Sequence, residues 1–394
     1  MTGRDEHIPP HVPPDRVVDI DIYRMPEAEC DLYKAWKRLQ DEHAFDLLWT
    51  TQNGGHWIAT RGRDIAHVYA DHEHFSSNIT IVPREFGERF PLRPTTLDPP
   101  AHRPYRKVIA AALTPARVRE AAPILETLAR EAVARVRDVG RCEFVIDVAE
   151  SIPVRLFLAL AGVPASSAAD LPRYGEAPDA TDVPLMQRYA DFLRPYIVDR
   201  RLSPGDDLLS RLSVGEVEGR ALSEDEAVDI ATAVLTGGFD TVVSAAGLMM
   251  AFLARNPEHR ARLVADPGAI ERAVGEMLRR FPLMTKARLA KCEQYLHGVV
   301  IQAGDMIVLP PLHGLDDREF AQPLDVDFDR DPKPSSVFGN GVHHCPGHLL
   351  ATAELRAIID AWLAAIPQFE VDPARPPRMQ SGILGAMLEL GLRW

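Results

Sequence analysis

The feature that most constrains this sequence is a long apolar segment between Ser223 and Asn256. Ser223 and Glu226 have the spacing of a helix capping box, and Asn256-Pro257 is expected to stop the helix after Arg255. At 1.5 Å per residue such a helix would be roughly 48 Å long. Its middle, TAVLTGGFDTVVSAAG, is apolar around nearly its whole circumference, which predicts burial on all sides. The chain is therefore expected to build one large core around a central helix.

Weaker patterns surround this segment. Residues 115–138 place apolar side chains at three- and four-residue spacing, which predicts an amphipathic helix. Short strands are predicted at residues 56–60 and 298–307, and the prolines of residues 1–18 predict an extended arm. Because no repeat, linker or low-complexity segment interrupts the rest, residues 19–394 are expected to form a single domain, mainly α with a small β region.

Composition excludes several classes of protein. A formal net charge of −13 argues against nucleic-acid binding, which needs clustered Lys and Arg. The four cysteines are far apart and form no CxxC pair, so neither a disulfide framework nor a zinc ribbon is indicated, and a reducing cytoplasm fits best. The longest apolar run, residues 242–254, is shorter than the roughly 20 residues of a membrane span, so no membrane association is expected.

A glycine-rich loop near the C-terminus carries the strongest local signal. Residues 338–347 read FGNGVHHCPG and precede a strongly amphipathic helix, so Cys345 lies where backbone N–H groups favour a thiolate. One interpretation is a buried structural cysteine after a glycine turn. Another is a metal site made by His343, His344, Cys345 and His348. Adjacent histidines have difficulty binding one ion tetrahedrally, and no second cluster with zinc-like spacing completes such a site.

This loop resembles the haem-binding signature of the cytochrome P450 family, Phe-Gly-x-Gly-x-His-x-Cys-x-Gly, at all six fixed positions. The resemblance implies the P450 fold, with haem b held between the long central helix and the helix after the cysteine loop. It implies that Cys345 is the axial thiolate ligand of the haem iron, which favours cleavage of the O–O bond of dioxygen. It also places Phe338 and His343 in contact with the cofactor, the histidine on a propionate.

Further family motifs follow in the expected order. Glu276 and Arg279 match the Glu-x-x-Arg pair, which the family uses to brace the cysteine loop. LDPPAHRPYR resembles the family's Asp-Pro-Pro segment and makes His102 and Arg106 propionate ligands, with Arg288 as another. Buried propionates need such cations, and Arg suits a carboxylate best.

Within the central helix, Gly237-Gly238-Phe239-Asp240-Thr241 has no evident structural purpose. Each glycine costs about 1 kcal/mol in a helix interior, and an aspartate in an apolar stretch also costs energy unless it is partnered. A purely structural back-bond from Thr241 to the i−4 carbonyl is the alternative. By resemblance, this stretch opens locally over the iron to accommodate dioxygen, and Asp240 and Thr241 relay protons to it.

The resemblance covers nearly the full chain and is nearest to the bacterial camphor 5-monooxygenase group, on LTGGFDTVV, LARNPEHR, EMLRRFPL, HGLDDRE and SGILGA. It implies hydroxylation of a small apolar, terpenoid-like substrate, with electrons from a [2Fe–2S] ferredoxin and its NAD(P)H-dependent reductase. Phe90 stands where the camphor enzyme has a hydrogen-bonding tyrosine, so recognition mainly by shape is expected. The pocket candidates are Ile81, Phe90, Thr95, Ala233, Thr236, Gly237, Met284, Ile383 and Leu384.

Two local features bear on electron transfer. Pro346 follows the thiolate where a residue with an N–H is more usual, which is expected to strengthen donation to iron and lower the reduction potential. Arg103, Arg106 and Lys107 form a local basic group on an acidic protein and are candidates for ferredoxin docking.

Three other functions stay open on the sequence. A haem-thiolate peroxygenase would use hydrogen peroxide, although the intact Asp240-Thr241 pair favours the dioxygen route. A haem-binding protein without turnover would incorporate haem and yield no product. A zinc protein built on the His-His-Cys cluster would show no haem absorption.

Overall fold

The computed structural model describes residues 8–25, 28–89, 91–171 and 183–394. Helices dominate these residues. They are α1 (Ala28–Asp41), α2 (Gly62–Ala70), α3 (Arg84–Gly87), α4 (His102–Ala112), α5 (Pro115–Arg137), α6 (Ser151–Leu160), α7 (Val183–Leu202), α8 (Leu208–Ser213), α9 (Glu224–Arg255), α10 (Pro257–Ala265), α11 (Ile270–Arg280) and α12 (His348–Ala365). Helices α5 and α9 occupy the segments that the sequence predicts for them.

The central helix α9 begins with the predicted capping box. The Ser223 side chain accepts from the N–H of Glu226, and the Glu226 carboxylate accepts from the N–H of Ser223. Helices α6, α7, α8 and α12 pack around α9. Within the described chain, α9 alone is long and apolar enough to cross a membrane, which the sequence analysis did not expect of any segment. Since 72% of its most apolar stretch is buried inside the protein, it has the character of a core helix.

The strands form one six-stranded sheet and smaller ones. They are β1 (Val17–Val18), β2 (Leu47–Thr50), β3 (His56–Ala59), β4 (Phe75–Ser76), β5 (Arg141–Glu143), β6 (Glu216–Val217), β7 (Arg220–Ala221), β8 (Lys286–Ala290), β9 (Gln294–Leu296), β10 (Val299–Ile301), β11 (Met306–Leu309), β12 (Glu370–Val371), β13 (Arg378–Gln380), β14 (Ala386–Glu389) and β15 (Gly391–Arg393). The main sheet has the order β1-β2-β3-β11-β8-β4, and β12-β15-β5 form a three-stranded sheet.

The strand predicted at residues 298–307 is in fact two strands in different sheets. Strand β10 forms a hairpin with β9, whereas β11 pairs with β3 and β8 in the main sheet. The chain turns between them at Gly304, whose φ of +94° lies in the region that favours glycine. Apolar residues on both sides of this turn hid the break in the sequence pattern.

The predicted N-terminal arm is described only from residue 8 onward, and residues 1–7 lie outside the described chain. Its later part is tied to the sheet, because β1 pairs in parallel with β2. The Nε2 atom of His11 and the indole nitrogen of Trp57 both lie 2.9 Å from Asp305 Oδ2. The division of the chain into an arm and one domain stays a prediction.

Candidate active site

The cysteine loop takes its shape from two glycines in left-handed conformation. Gly339 and Gly341 have φ values of +71° and +66°. A Cβ atom on Gly341 would lie 2.7 Å from the Cα of Ala70, closer than atoms can approach. The N–H of Cys345 donates to the Phe338 carbonyl oxygen at 2.8 Å and closes the loop. The glycines therefore let the loop lie directly on the end of α2 with Cys345 facing inward.

The sulfur of Cys345 lies where α12 begins. Burial raises the pKa of this thiol, while hydrogen bonds from the backbone N–H groups of Gly347 and His348 and the charge of Arg106 act to lower it. Pro346, between them, has no N–H to contribute. Two backbone donors thus already point at the sulfur, as expected at a helix N-terminus.

The histidines of the loop do not converge on one point. The His343 ring lies 4.2 Å from the His102 ring, whereas the His344 ring lies 4.8 Å from the His348 ring. Among the described residues, the only group of ligand types close enough to hold a metal ion directly is Asp46, Asp64 and His297. The His-His-Cys zinc site therefore lacks the necessary geometry.

A cavity of about 350 Å³ separates α9 from the cysteine loop and α12. Phe338, His343 and Cys345 line it from the loop side, and Thr241 lines it from α9. Its walls are mainly apolar, including Ile109, Leu113, Phe157, Val234, Leu235, Val242, Ala245, Leu283, Leu350 and Leu355. This is the position that the P450 resemblance gives to haem.

Cationic side chains at one end of the cavity lack anionic partners. His102, Arg106, Arg288 and His343 all line it. Within the described residues, the two ring nitrogens of the buried His102 and the Nε2 atom of His343 have no hydrogen-bond partner. The Arg288 guanidinium donates to the Ala287 carbonyl at 2.9 Å and lies 5.2 Å over the Tyr69 ring, with no carboxylate paired to it in the described chain. Such a set fits a group that brings two carboxylates of its own, as haem does.

Burial dominates the electrostatics of these cations. The pKa of His102 is lowered to about 4 and that of His343 to about 3, mainly by burial and in addition by the charges of neighbouring arginines. Burial also lowers the pKa values of Arg106 and Arg288. An anion bound among them would therefore be stabilised by two permanent charges and two imidazoles.

Asp240 and Thr241 lie on different sides of α9. Thr241 lines the cavity, and its hydroxyl donates to the Gly237 carbonyl oxygen at 2.8 Å. Asp240 does not line it, and burial, followed by repulsion from Glu150, raises its pKa to about 6. Helix α9 is continuous from Glu224 to Arg255, so the expected local opening does not interrupt it. The Thr241 hydroxyl donates to the Gly237 carbonyl oxygen, and the two glycines leave space beside it, while the helix stays continuous.

Comparison with known proteins places this geometry in a family. The chain is 30% identical to the probable cytochrome P450 127A1 of Sinorhizobium fredii, over 98% of this chain and 97% of that protein. The chain belongs to the cytochrome P450 family. Its structure matches the crystal structures of CYP101J2 and CYP101C1, each with a TM-score of 0.92, at 37% and 36% identity and over 98% of this chain and 99% and 100% of theirs. Cytochrome P450-terp of a Pseudomonas species is 27% identical over 88% of this chain and 90% of its own length.

No family model matches the chain. CYP101J2 and CYP101C1 belong to the CYP101 group, the camphor group of P450s, as the sequence motifs predict. This P450 is a monooxygenase whose family cofactor is thiolate-ligated haem b with dioxygen as co-substrate. Bound haem supplies the activation of dioxygen and the insertion of one oxygen atom into a substrate bond.

The predicted pocket residues of this P450 divide into two sets. Thr95, Ala233, Gly237 and Met284 line the cavity. Four others are not among the residues that line it and stay predictions, and Phe90 lies outside the described residues. The residues that do not line the cavity are Ile81, Thr236, Ile383 and Leu384.

These four residues make contacts outside the cavity lining. The Thr236 hydroxyl is turned back along α9 and donates to the Thr232 carbonyl at 2.8 Å. Ile81 lies against Gly87, because a Cβ atom added to this glycine would come within 3.2 Å of the isoleucine side chain. Ile383 is buried, and the segment 383–384 is held beside residues 284–285 by backbone pairing. Motif alignment gave positions near the cavity but not side-chain direction.

The Glu276–Arg279 pair of this P450 is buried and bidentate, with both N···O distances at 2.8 Å. Arg279 also donates to the carbonyl oxygens of Gly314, Pro323 and Asp325, and Arg330 reaches Glu276 at 3.0 Å. The pair therefore holds the segment 314–330 that leads into the cysteine loop, instead of contacting the loop itself.

Two residues that line the cavity of this P450 belong to none of the sequence motifs. Tyr69 lines the cavity beneath Arg288, and Glu354 lines it from α12. Burial raises the pKa of Glu354 to about 8, and its Oε2 has no hydrogen-bond partner within the described chain. Glu354 could have been noticed as a carboxylate on the apolar face of the helix after Cys345. Nothing in the sequence distinguishes Tyr69.

Proposed function

We propose that this enzyme hydroxylates a compact, apolar, terpenoid-like substrate in the cytoplasm. It would use dioxygen and two electrons from a [2Fe–2S] ferredoxin with an NAD(P)H-dependent reductase. The observation that carries the proposal is the apolar cavity between Thr241 of α9 and Cys345. Gly237 and Gly238 leave open space there, since a Cβ on either would meet nothing within 4 Å.

The lining of the cavity supports a substrate recognised mainly by shape. Apart from the groups assigned to the cofactor, Thr95 is the predicted polar contact that reaches it, and Ala233 and Met284 are small or adaptable apolar neighbours. Similarity to CYP101 enzymes and to a P450 named cytochrome P450-terp favours a terpenoid-like skeleton. A compact apolar molecule would gain most by excluding water from these walls.

The side chains of this chain would divide the work as follows. Arg106, Arg288 and the two histidines bind the propionates, and Cys345 binds the iron. Thr241 lines the cavity, and its hydroxyl, which donates to the Gly237 carbonyl oxygen, would hold or donate a proton there. Asp240, with a pKa near 6, can exist in both protonation states near neutral pH and so resupply that proton.

Ferredoxin would dock beside α4, the helix whose His102 ring contacts the His343 ring of the cysteine loop. Arg103 and Lys107 are exposed on α4, whereas Arg106 points into the cavity and is withdrawn from the predicted docking group. The remaining two cations would attract an acidic ferredoxin mainly by raising its association rate.

The first test is the absorption spectrum of the haem-loaded protein, reduced and exposed to carbon monoxide. Thiolate ligation is expected to shift the Soret band strongly to the red in the wild type and in Cys292→Ala, which changes an exposed cysteine. The shift should be absent in Cys345→Ala. A folded, haem-loaded wild type without the shift would refute thiolate ligation by Cys345.

The second test separates the dioxygen route from the peroxide route. Compact terpenoids that change the spin state of the haem would be incubated with reduced ferredoxin or with hydrogen peroxide. We expect product with ferredoxin and dioxygen, and a marked loss of coupling in Asp240→Asn. Turnover with peroxide alone would favour a peroxygenase, and binding without product from either source would favour a haem protein without turnover.

A further inference from the structure

Lys286 is a cation inside the cavity to which no function has yet been given. It is the first residue of β8, pairs through its backbone with Leu309 of β11, and lines the cavity. Because side chains alternate along a strand, Lys286 and Arg288 point to the same face, and the intervening Ala287 is buried on the other. The main sheet thus directs two cations into one space.

The ammonium group of Lys286 has no anionic partner in the described part of the chain. No hydrogen bond or ion pair joins its Nζ to a described residue. Burial, and then repulsion from Arg288, lowers its pKa to about 8. Asp98, whose charge acts on Arg288, is already engaged, since it accepts from the Ser76 hydroxyl at 2.6 Å and from the Ser77 N–H at 2.8 Å. Lys286 is half-buried against the cavity, and an unpaired ammonium there is costly, so an anion from outside the protein chain would stabilise it.

The cavity holds more positive charges than the two propionates of haem need, and Lys286 is the additional one. The two haem propionates carry two negative charges, and Arg106 and Arg288 supply two permanent positive charges in the same cavity. Glu354, the carboxyl group that lines the cavity, has a pKa of about 8 because it is buried, so it is mainly neutral near pH 7. Lys286 therefore adds a third cation that no protein carboxylate of the described chain neutralises.

We propose that Lys286 binds a carboxylate inside the cavity, as a third cation beside Arg106 and Arg288. Either the cofactor or the substrate can supply that group. If a haem propionate supplies it, Lys286 stabilises the reduced, more negative centre. If the substrate supplies it, the substrates are compact apolar carboxylic acids. This second case rests on the proposed function.

The first arm of the test measures the haem midpoint potential by redox titration of the holoenzyme. Lys286→Met, Lys286→Arg and Lys34→Met would be compared, the last removing an exposed lysine of α1. If the propionate is the partner, Lys286→Met shifts the reduction equilibrium at least threefold toward the oxidised form, or about 28 mV at about 59 mV for a tenfold change. Lys286→Arg, which keeps the charge, and Lys34→Met retain the wild-type potential.

The second arm measures spin-state titrations with a compact terpenoid carboxylic acid and its methyl ester. If the substrate is the partner, the wild type binds the acid at least about fivefold more tightly than the ester, and Lys286→Met loses this preference while Lys286→Arg keeps it. A Lys286→Met enzyme with wild-type potential and wild-type ligand preference overturns the proposal. A shifted potential in a protein that hydroxylates nothing would support the carboxylate site and refute the proposed function.

Discussion

At the scale of single residues, the sulfur of Cys345 is surrounded by backbone donors with one gap. The N–H groups of Gly347 and His348 bond to it, and the N–H of Cys345 itself goes to the Phe338 carbonyl oxygen. Pro346 is the position in this turn that offers no donor. Each hydrogen bond to a thiolate withdraws charge from sulfur, so the number of donors is a direct control on the iron.

We expect Pro346→Leu and Pro346→Ala to raise the haem midpoint potential. Both variants restore a backbone N–H after the thiolate, but their side chains differ in size. A rise in potential common to both would therefore come from the hydrogen bond and not from the size of the side chain. Redox titration of the haem-loaded proteins measures the effect. An unchanged or lower potential in both variants would show that the restored N–H does not reach the sulfur.

Glu354 makes a second prediction at this scale, on stability against pH. Burial raises its pKa from 4.5 to about 8, so the folded state holds a proton that the unfolded state releases above pH 4.5. Its contribution to stability is therefore fully present below the unfolded pKa and is lost as pH rises through the folded pKa, by a few kcal/mol in all. We expect Glu354→Gln to lose less stability than the wild type across this range.

The measurement is the thermal midpoint of the haem-loaded protein at about pH 6 and about pH 9. The difference between the two midpoints should be smaller in Glu354→Gln than in the wild type. Glu271→Gln, which changes an exposed carboxylate of α11, should keep the wild-type difference. Equal differences in all three proteins would contradict the assignment.

At the scale of elements, α11 holds the long irregular segment that precedes the cysteine loop. Arg279 forms five hydrogen bonds, two to Glu276 and three to carbonyl oxygens of residues 314–325. The side chains of Arg279 and Glu276 are only 5% and 7% exposed. Because this segment has little regular structure of its own, its backbone carbonyl groups are satisfied by arginine side chains. Arg279 serves three of them, and Arg280 and Arg330 serve others.

We expect Arg279→Met to lower the free energy of unfolding by about 3–5 kcal/mol, since it leaves Glu276 and three carbonyl groups short of donors. Arg279→Lys keeps the charge and should lose less. Chemical denaturation followed by haem absorbance and circular dichroism measures the loss. Arg84→Met, which breaks an exposed pair with Glu88, should cost no more than about 0.5 kcal/mol. Equal losses at the two sites would show that the buried pair is not structural.

Sequence reasoning reached the elements with strong patterns and missed those set by tertiary contacts. The capping box fixed the start of α9, and the signature loop placed Phe338, His343 and Cys345 around one cavity. Side-chain direction was another matter. Thr236 turns to a carbonyl of its own helix, which apolar periodicity does not reveal. Glu354 lies on the apolar face of α12, which the sequence could have indicated, but its contact with the cavity depends on how α12 packs.

At the scale of the whole molecule, charge is unevenly placed. The chain has a formal net charge of −13, yet Arg103 and Lys107 are exposed next to the cysteine loop on α4. An acidic partner would be repelled by the net charge of the protein and attracted by these two cations, which favours one docking orientation.

We expect Arg103→Glu with Lys107→Glu to slow association with an acidic ferredoxin by about tenfold or more at low salt and by less at high salt. Stopped-flow reduction of the haem by reduced ferredoxin measures the rate. Lys34→Glu with Arg38→Glu makes the same charge change on α1 and serves as the control. If both double variants slow the reaction equally, net charge and not a docking surface sets the rate.

Helix α9 is apolar enough to span a bilayer, and its cover comes partly from later sequence. Both α12 and β14 pack on it, and both lie nearer the C-terminus. While the ribosome is still translating, the nascent chain therefore displays a membrane-like segment that it cannot yet bury. We expect translation products that stop before residue 348 to fractionate with membranes or chaperones, whereas the full chain does not. Helix α12 would therefore complete the burial of α9 only after the rest of the chain has been made.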